Sequence, residues 1–412
     1  MPSASYPTQI SVSEAIGILQ QHAPQLGSEK VPLLDAYNRV LAQDLASKVD
    51  HPSHDNSALD GYACRAEDTQ SVSKENPVRL NVIDDVPAGS LFSGEVGAGQ
   101  AVSIYTGAPI PAGADAIIRV EETEREDDSV LLFAPANPGD IRPLGQDIKK
   151  GETYLERGTV LNAAAVGVAA AMGHAELEVV KRPRVGILAT GDEVIEPGQP
   201  LRAGQVYNSN TYSVTGLVRA AGAEAVVLKN VEDDPEKLLA AVRSAGDLDL
   251  LLTSGGVSMG KYDFVRDLLF DDGTVHFWKV AQKPAGPVLF GEWEGLPVLG
   301  LPGNPVSSMI AFIILGRAFL HKATGRTDNL PYYTRVQATA GMRLKGAGFK
   351  ETFARVKLTP QKDGTLLAVS TGNQSSGVQT SMLLADALAV IPPHKTYIEG
   401  DGLEAIDLVP YL

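Results

Sequence analysis

The sequence has little of what several protein classes need. Among its 412 residues there is a single cysteine, Cys64, so an internal disulfide and a thiolate metal cage are both excluded. Cys64 is expected to pack as a small apolar residue rather than to act as a nucleophile. The longest strongly apolar run, Met309 to Leu315, is far shorter than the ~20 residues that span a bilayer. No membrane partner is therefore predicted.

Positive charge is also scarce. The chain has 35 Lys plus Arg and 50 Asp plus Glu, which gives a formal net charge of -15. Such a field repels nucleic acid and anionic membranes, so no nucleic-acid partner is expected and an anionic substrate must be captured by local groups. The first residues show no basic-then-apolar signal pattern, which favours a cytoplasmic location.

Common catalytic signatures are missing as well. Nothing resembles a nucleophile elbow or a Walker loop, and the seven histidines show no metal-ligand spacing. The chain is instead rich in glycine, with 41 residues, and in proline, with 26, which predicts many turns and short strands. Three glycine-rich segments stand out: 55–63, 253–260 and 300–307.

The alternation of apolar and breaker residues predicts a multidomain α/β plus β protein. A capping box at Ser11 to Glu14 starts a helix that ends near His22. Brief apolar runs between Gly, Pro and Asp indicate an inserted β-rich module, and the alternating strands and helices after it predict a mostly parallel α/β sheet. The alternating tail, as in 353–358, predicts a small β-barrel or sandwich. The expected domains are a discontinuous helical and linking domain (1–49 and 146–182), the inserted β-rich module (50–145), the central α/β domain (183–328) and the C-terminal β domain (329–412).

Polar loops follow two predicted strands of the α/β domain. Residues 190–193 (Thr-Gly-Asp-Glu) come directly after the strand 185–189, and residues 253–256 (Thr-Ser-Gly-Gly) end the strand 248–253. The carboxyl ends of parallel strands meet at one edge, where phosphorylated ligands bind. The paired glycines are expected to let backbone N–H groups approach an anion. A structural turn without a ligand is the alternative for both loops.

Three further segments carry polar or charged groups. If 276–284 is extended, Lys279 and Lys283 share a face and form an oxyanion site, whereas solvated surface lysines are the alternative. The turn 300–307 leads into a helix through Pro305. The turn 55–63 carries two carboxylates five residues apart, which suits either a hard cation or an Asx-type turn without a ligand.

Together these residues resemble the molybdopterin molybdenumtransferase, or MoeA, family, which also supplies the E domain of gephyrin and of plant Cnx proteins. Segments 55–63, 106–113, 190–193, 253–260 and 300–307 follow the family's order and approximate spacing over nearly the whole chain. The resemblance implies an elongated four-part subunit with a molybdopterin-binding α/β domain, a homodimer, and insertion of molybdate into adenylylated molybdopterin with release of AMP. It also implies assistance by magnesium (Mg²⁺) and transient contact with molybdopterin adenylyltransferase.

The resemblance assigns roles to individual residues. Asp60 and Thr106 match an acid and its hydroxyl partner, and Asp147 matches a further acid. The expected Mg²⁺ ligands are Glu193, Asp233 and Asp263. Lys279, Lys283, Arg355 and Ser376 match the groups around the oxyanion. The expected catalytic residues are Asp60, Glu193, Asp263, Lys279 and Lys283. The expected substrate-binding residues are Thr106, Asp147, Thr190, Ser254, Gly255, Gly256, Pro302, Asn304, Ser307, Arg355 and Ser376.

The sequence departs from the family pattern in one segment, and two rival functions remain. Many members read Lys-Pro-Gly-Lys where this chain has Lys-Pro-Ala-Gly at 283–286, so a further lysine is absent. Molybdopterin adenylyltransferase shares the α/β domain, but it does not need the N-terminal region with Asp60 or the C-terminal domain with Arg355. A scaffold protein of the gephyrin type is the other alternative, and the chain shows no attached second enzyme domain to favour it.

Overall fold

The computed structural model describes residues 6–191, 193–228, 235–256, 264–327 and 333–409. Its helices are Val12–Gln21, Ala163–Ala171, Ser209–Ala220, Pro235–Ser244, Phe264–Asp271, Pro305–Ala323 and Thr380–Leu383. Short 3-10 turns occupy Leu33–Asp35, Ala66–Thr69, Val120–Glu122 and Pro138–Asp140.

A seven-stranded sheet forms the central α/β domain. Every neighbouring pair of its strands is parallel except the pairs made by Leu289–Trp293, which is antiparallel to both of its neighbours. The prediction of a mostly parallel sheet is therefore confirmed. In order across the sheet the strands are Thr8–Ile10, Thr274–Val280, Leu289–Trp293, Leu296–Leu301, Leu250–Ser254, Arg184–Ala189 and Glu224–Val227.

The first strand and helix of the chain pack on this central sheet. The capping box is confirmed, because the Ser11 backbone N–H donates to the Glu14 carboxylate at 2.8 Å and the Ser11 hydroxyl accepts from the Glu14 N–H at 3.2 Å. The buried face of Val12–Gln21 belongs to the same core as the central strands. These residues were assigned to the linking domain, and their apolar face is buried against the α/β domain.

The longest apolar helix runs through the same core. Pro305–Ala323 has the length and composition of a membrane-crossing helix, yet 83% of its apolar window is buried inside the protein. Its middle turn, Phe312–Gly316, has π-helical geometry and is fully buried. It is the core helix of the α/β domain, and the strand Leu296–Leu301 leads into it.

The inserted module is a six-stranded sheet with an apolar cluster on each face. Gly61 starts one of its inner strands so close to the next that an added Cβ would lie 1.9 Å from the Ile118 carbonyl oxygen. Only glycine fits there, and this fixes the turn that carries Asp60. The strands in order are Ala116–Arg119, Gly61–Cys64, Gln100–Ile104, Val78–Val86, Ser129–Leu132 and Thr123–Glu126.

The C-terminal region is a closed five-stranded barrel, as predicted, because Glu351–Pro360 pairs with both the second and the last strand of the ring. The strand Gln282–Lys283 of the α/β domain adds to the edge of Glu351–Pro360 and so joins the two regions. The ring consists of Glu351–Pro360, Leu366–Ser370, Arg335–Ala340, Gly402–Asp407 and Ala387–Ile391.

Two-stranded ladders complete the fold. The linking region has its own apolar core, in which the helix Ala163–Ala171 packs against paired strands from both ends of the insertion. The paired strands are Ser28–Pro32 with Glu176–Val180, Leu45–Ala46 with Thr153–Leu155, Asn56–Ser57 with Ile141–Arg142, Val194–Ile195 with Val206–Tyr207, and Leu344–Lys345 with Thr396–Tyr397.

Candidate active site

A cavity of 720 Å³ opens at the carboxyl ends of three parallel central strands, and we call it the sheet-edge cavity. Its walls are polar and apolar loop residues together with the start of two helices. It brings together six of the predicted site residues. They are Thr190, Glu193, Ser254, Gly255, Gly256 and Asn304.

Asn210 ties two of these loops together. Its Nδ2 donates to the Ser254 hydroxyl at 2.7 Å and to the Gly303 carbonyl at 2.7 Å. Asn210 lies in the first turn of Ser209–Ala220, whose N-cap is the buried Asn208. Sequence reasoning began this helix at Thr211 and missed both asparagines. The run Asn-Ser-Asn-Thr before an apolar period is the cap signal that would have found them.

The paired glycines act differently from what was expected. The Gly255 N–H donates to the Leu301 carbonyl at 3.0 Å, so this group is not available to an anion, and the predicted backbone cradle is wrong at Gly255. Gly255 has φ +101, and a Cβ there would lie 3.1 Å from the Thr190 hydroxyl. Glycine is needed for a left-handed turn and for close approach of two loops.

Glu193 supplies a carboxylate to the sheet-edge cavity. Its side chain is exposed and folds over Gly191, since a Cβ on Gly191 would lie 2.7 Å from the Glu193 Oε2 atom. The adjacent chain is held by the Val206 N–H, which donates to the Glu193 carbonyl at 2.9 Å. Asp233 and Asp263, the other two expected metal ligands, lie outside the described residues, as does Asp192.

A second cavity, of 590 Å³, adjoins the first through Asn304, which lines both. We call it the lysine cavity because the exposed Lys283 side chain lies on its wall. The barrel loop 373–376 forms the opposite wall and docks on the α/β domain, since the Val306 N–H donates to the Ser376 carbonyl at 3.2 Å. Five predicted site residues meet here: Lys283, Pro302, Asn304, Ser307 and Ser376.

Arg355 supports the lysine cavity from inside the barrel. Its side chain is 1% exposed, and its Nε donates to the Ser381 hydroxyl at 3.1 Å. Nη2 donates to the Ser375 carbonyl at 3.1 Å and lies 3.5 Å from the Asn373 carbonyl. Burial lowers the pKa of the guanidinium. The group expected beside the oxyanion therefore holds the loop that forms the cavity wall.

Asp60 and Thr106 form a compact pair on the inserted module. The Thr106 N–H and hydroxyl both donate to Asp60 Oδ1, at 2.7 and 2.8 Å. These two hydrogen bonds, the backbone one first, lower the pKa of Asp60, which is a carboxylate at neutral pH. Both side chains are exposed, and neither lines the two cavities.

The other carboxylate of that turn has a structural partner. Asp55 Oδ1 accepts the Leu144 N–H at 2.7 Å, which is the role of a turn residue. Within the described part of the chain, no group of three metal-ligand side chains occurs at 55–63. The turn alternative is therefore favoured over a cation site formed by this segment.

Two further predicted site residues, Lys279 and Asp147, also lie outside both cavities. Lys279 has φ 70, and its Nζ lies 4.1 Å from the centre of the Trp278 ring. The left-handed residue breaks the period of two, so the prediction that Lys279 and Lys283 share a face is wrong. Asp147 is exposed, and its backbone N–H donates to the His51 carbonyl at 3.0 Å in the connection between the linking region and the module.

Comparison with known proteins gives matches along the chain. Residues 10–173 match the MoeA N-terminal region (domain I and II), residues 186–322 a probable molybdopterin binding domain, and residues 337–408 the MoeA C-terminal region (domain IV). A Mycobacterium tuberculosis protein named molybdopterin molybdenumtransferase 2 is 40% identical over 387 residues, which cover 92% of this chain and 94% of that protein. A Haemophilus influenzae molybdopterin molybdenumtransferase is 34% identical over 93% of this chain and 94% of its own length.

A solved structure agrees with the whole architecture. The molybdopterin biosynthesis MoeA protein from Pyrococcus horikoshii OT3 superposes with a TM-score of 0.82 at 30% sequence identity. The match covers 97% of this chain and 99% of that one. The similarity therefore extends over the inserted module, the central sheet and the barrel together.

Proposed function

Because this chain belongs to the molybdopterin molybdenumtransferase (MoeA) family, it is a transferase of molybdenum cofactor biosynthesis that inserts molybdate, and we propose that its two adjoining cavities divide the substrates between them. The sheet-edge cavity binds adenylylated molybdopterin, the lysine cavity binds molybdate, and AMP is released. The observation that carries this proposal is the meeting of the two cavities at Asn304, with hydroxyl groups on one side and Lys283 on the other.

The sheet-edge cavity suits the nucleotide-linked pterin. Its volume of 720 Å³ lies within the range of about 300–1,000 Å³ that holds a small ligand. The hydroxyls of Thr190 and Ser254 and the amide of Asn210 line it, and such groups orient the ligand through hydrogen bonds. Its place at the carboxyl ends of parallel strands is where open α/β sheets bind phosphorylated ligands.

The lysine cavity suits a tetrahedral dianion. Charge-assisted donors replace the hydration shell of such an ion best, and Lys283 supplies one on an exposed, unobstructed wall. Ser307 adds a hydroxyl in the first turn of the buried core helix, where the helix dipole favours negative charge. The local positive charge is essential because the chain carries a net charge of -15.

Arg355 is a positioning residue in this proposal. Its hydrogen bonds to Ser381 and to the loop carbonyls of Asn373 and Ser375 fix the wall opposite Lys283. The buried guanidinium also adds positive charge behind that wall. The family role of Arg355 is thereby carried out through the loop it orders.

No protein nucleophile is required. The dithiolene sulfurs of the pterin bond to molybdenum as oxo groups of molybdate leave as water, and the phosphoanhydride bond takes up the elements of one water as AMP leaves. The protein binds and aligns the reacting groups. The only thiol of the chain, Cys64, is fully buried, and burial, with Asp68 and Asp115 nearby, raises its pKa to about 12. Such a thiol is inert at neutral pH.

Magnesium fits the donors of the sheet-edge cavity. The exposed Glu193 carboxylate, with the hydroxyl and amide oxygens around it, is the hard oxygen set that Mg²⁺ prefers. When bound, Mg²⁺ would supply positive charge beside the pyrophosphate of the substrate. We assign Asp233 and Asp263 as the further ligands on the basis of the family resemblance.

A homodimer completes the site. The Asp60 carboxylate and Thr106 form an exposed pair, and among the described residues no residue of either cavity hydrogen-bonds to it, so we assign the pair to the site of a second subunit. The same proposal places the enzyme in the cytoplasm, in transient contact with molybdopterin adenylyltransferase, which supplies the adenylylated substrate. The single buried cysteine suits a reducing compartment.

Calorimetry on Lys283→Ala tests the division of substrates. Loss of one donor to a dianion weakens molybdate binding by about 1.5–3 kcal/mol, whereas binding of adenylylated molybdopterin changes little. Tungstate, a dianion of the same shape, provides a second probe of the same cavity. The matched control is Lys362→Ala, an exposed lysine in a barrel turn. Equal losses for the pterin and for molybdate would show that Lys283 does not serve a separate oxyanion site.

A further inference from the structure

Two histidines and a glutamate meet at the amino edge of the central sheet. His22 caps the C-terminal end of Val12–Gln21, His276 lies on Thr274–Val280, and Glu292 lies on Leu289–Trp293. Glu292 pairs with Pro297 near the start of Leu296–Leu301, whereas the sheet-edge cavity lies beyond the end of that strand. The three side chains therefore lie at the opposite edge of the sheet from the proposed active site.

The potential ligand atoms of this His-His-Glu cluster lie close together. One atom from each residue lies within 4.8 Å of the other two. His22 Nδ1 is 2.9 Å and His276 Nε2 is 3.3 Å from Glu292 Oε1. Metal–ligand bonds of about 2.0–2.2 Å at angles of roughly 90–110° place neighbouring ligand atoms about 2.8–3.6 Å apart. Both observed separations match that spacing.

Hydrogen bonding alone leaves one of these atoms unsatisfied. His276 Nε2 is buried and has no hydrogen bond of acceptable geometry, although it lies 3.3 Å from Glu292 Oε1. The His22 and His276 rings stack with their centroids 3.6 Å apart, an arrangement that is unfavourable for two imidazolium ions. A buried nitrogen without a partner requires an explanation, and a metal ion that accepts its lone pair provides one.

The electrostatic environment favours a cation. The C-terminal end of a helix carries partial negative charge, and the last turn of Val12–Gln21 contains no basic residue to neutralise it.

We propose that His22, His276 and Glu292 bind one divalent transition-metal ion of the Zn²⁺ or Co²⁺ type. Two imidazole nitrogens and one carboxylate select such ions over Mg²⁺, which prefers oxygen ligands. His22 and Glu292 are 32% and 34% exposed, so water completes the coordination. The ion clamps the end of the first helix to two strands of the central sheet and so stabilises the fold.

Cobalt binding tests this site on the full-length protein. Chelator-treated protein is titrated with Co²⁺ in the presence of excess Mg²⁺, and binding is followed by visible absorption and equilibrium dialysis. The wild type binds one tightly held ion per chain. Glu292→Gln and His276→Gln each weaken that binding at least about tenfold. The control His394→Asn removes an exposed histidine at φ 61, where asparagine is well tolerated, and leaves binding unchanged.

Thermal unfolding provides a second readout, because an ion that binds only the native state raises the melting temperature. Zn²⁺ stabilises the wild type and His394→Asn but not the cluster variants. If His276→Gln does not fold, the more exposed His22→Gln takes its place. A wild type that binds no ion at this stoichiometry, or cluster variants that bind as tightly as the wild type, would overturn the assignment.

Discussion

At the carboxyl edge of the central sheet, polar groups from separate loops surround a cavity of 720 Å³, whereas on the inserted module Asp60 and Thr106 stand exposed as a single pair. The first region can enclose a ligand with residues of one chain. The second holds its carboxylate ready but needs another surface to enclose anything. This difference is the reason for the proposal that one subunit supplies the binding cavities and its partner supplies the acid.

The topology of each region explains this difference. Parallel strands all end at the same edge, so the loops after Arg184–Ala189, Leu250–Ser254 and Leu296–Leu301 converge. In the module most neighbouring strands are antiparallel, and polar turn residues are spread along its rim. Asp60 and Thr106 meet there because they lie at the ends of the adjacent strands Gly61–Cys64 and Gln100–Ile104.

The largest expected effect falls on the wall of the cavity region. In Arg355→Lys the single ammonium cannot reproduce the planar fork that binds Ser381 and the loop carbonyls. Breaking these buried charge-assisted bonds is expected to lower the free energy of unfolding by about 3 kcal/mol. Chemical denaturation measures this change in the free energy of unfolding. Lys357→Ala, at an exposed position on the same strand, is the control. An equal loss of stability in that variant would show that the hydrogen bonds of Arg355 do not stabilise the loop.

A smaller effect is expected where two loops of the sheet-edge cavity touch. Gly255→Ala places a methyl group 3.1 Å from the Thr190 hydroxyl at φ +101, which costs roughly 1–3 kcal/mol in strain and shifts the loops. The affinity for adenylylated molybdopterin is expected to fall about tenfold. Gly198→Ala has a similar φ of +94 but open space around it, so it reports the backbone strain alone. Equal substrate affinity in the two variants would show that the contact does not shape the cavity.

The smallest effect is expected on the module. Thr106→Val removes the hydroxyl bond to Asp60 but keeps the backbone N–H bond, so the pKa of Asp60 rises toward its ordinary value. Asp60 has a lowered native pKa, so the stability it contributes is present above its unfolded pKa and lost as the pH falls through the native one. Because Asp60 with a higher pKa is protonated at higher pH, the acid limb of the pH–rate profile should also move to higher pH. At neutral pH the loss of kcat/KM should be less than about tenfold.

A matched pair in the barrel provides the control for that prediction. Thr365 donates its N–H and hydroxyl to Asp363 Oδ1 at 3.0 and 2.7 Å, and the pKa of Asp363 is lowered in the same way. Thr365→Val repeats the chemistry of Thr106→Val at an exposed turn away from the cavities. An acid limb that shifts equally in both variants would contradict a catalytic role for Asp60.

Much of the fold could be predicted from local pattern. The strands around 185–189 and 250–254 and the helix after Asn304 follow from apolar runs bounded by glycine and proline. The strand Leu289–Trp293 was missed because a glycine interrupts it, and Thr8–Ile10 because three residues carry too little periodicity. The place of Val12–Gln21 in the central core depends on distant residues, which no local pattern reports.

The candidate site was predicted in its parts but not in its contacts. The loops containing Thr190, Ser254 and Asn304 do meet, because the topology of parallel strands requires it. The left-handed backbone at Lys279 is set by tertiary packing, so the prediction that it shares a face with Lys283 was wrong. The hydrogen bonds of Arg355 and of Gly255 depend on which carbonyls come near in three dimensions, so no sequence pattern predicts them.

A complementation experiment tests directly whether the two regions serve one reaction across two subunits. Asp60→Asn and Glu193→Gln chains, each inactive alone, are refolded together and assayed for molybdate insertion. If each site combines Asp60 of one subunit with Glu193 of the other, a mixed dimer has both substitutions in one site and an intact second site. Random pairing makes about half of the dimers mixed, so about a quarter of wild-type activity is expected to return. If both residues serve one site within a single chain, every site carries a lesion, and activity would stay absent.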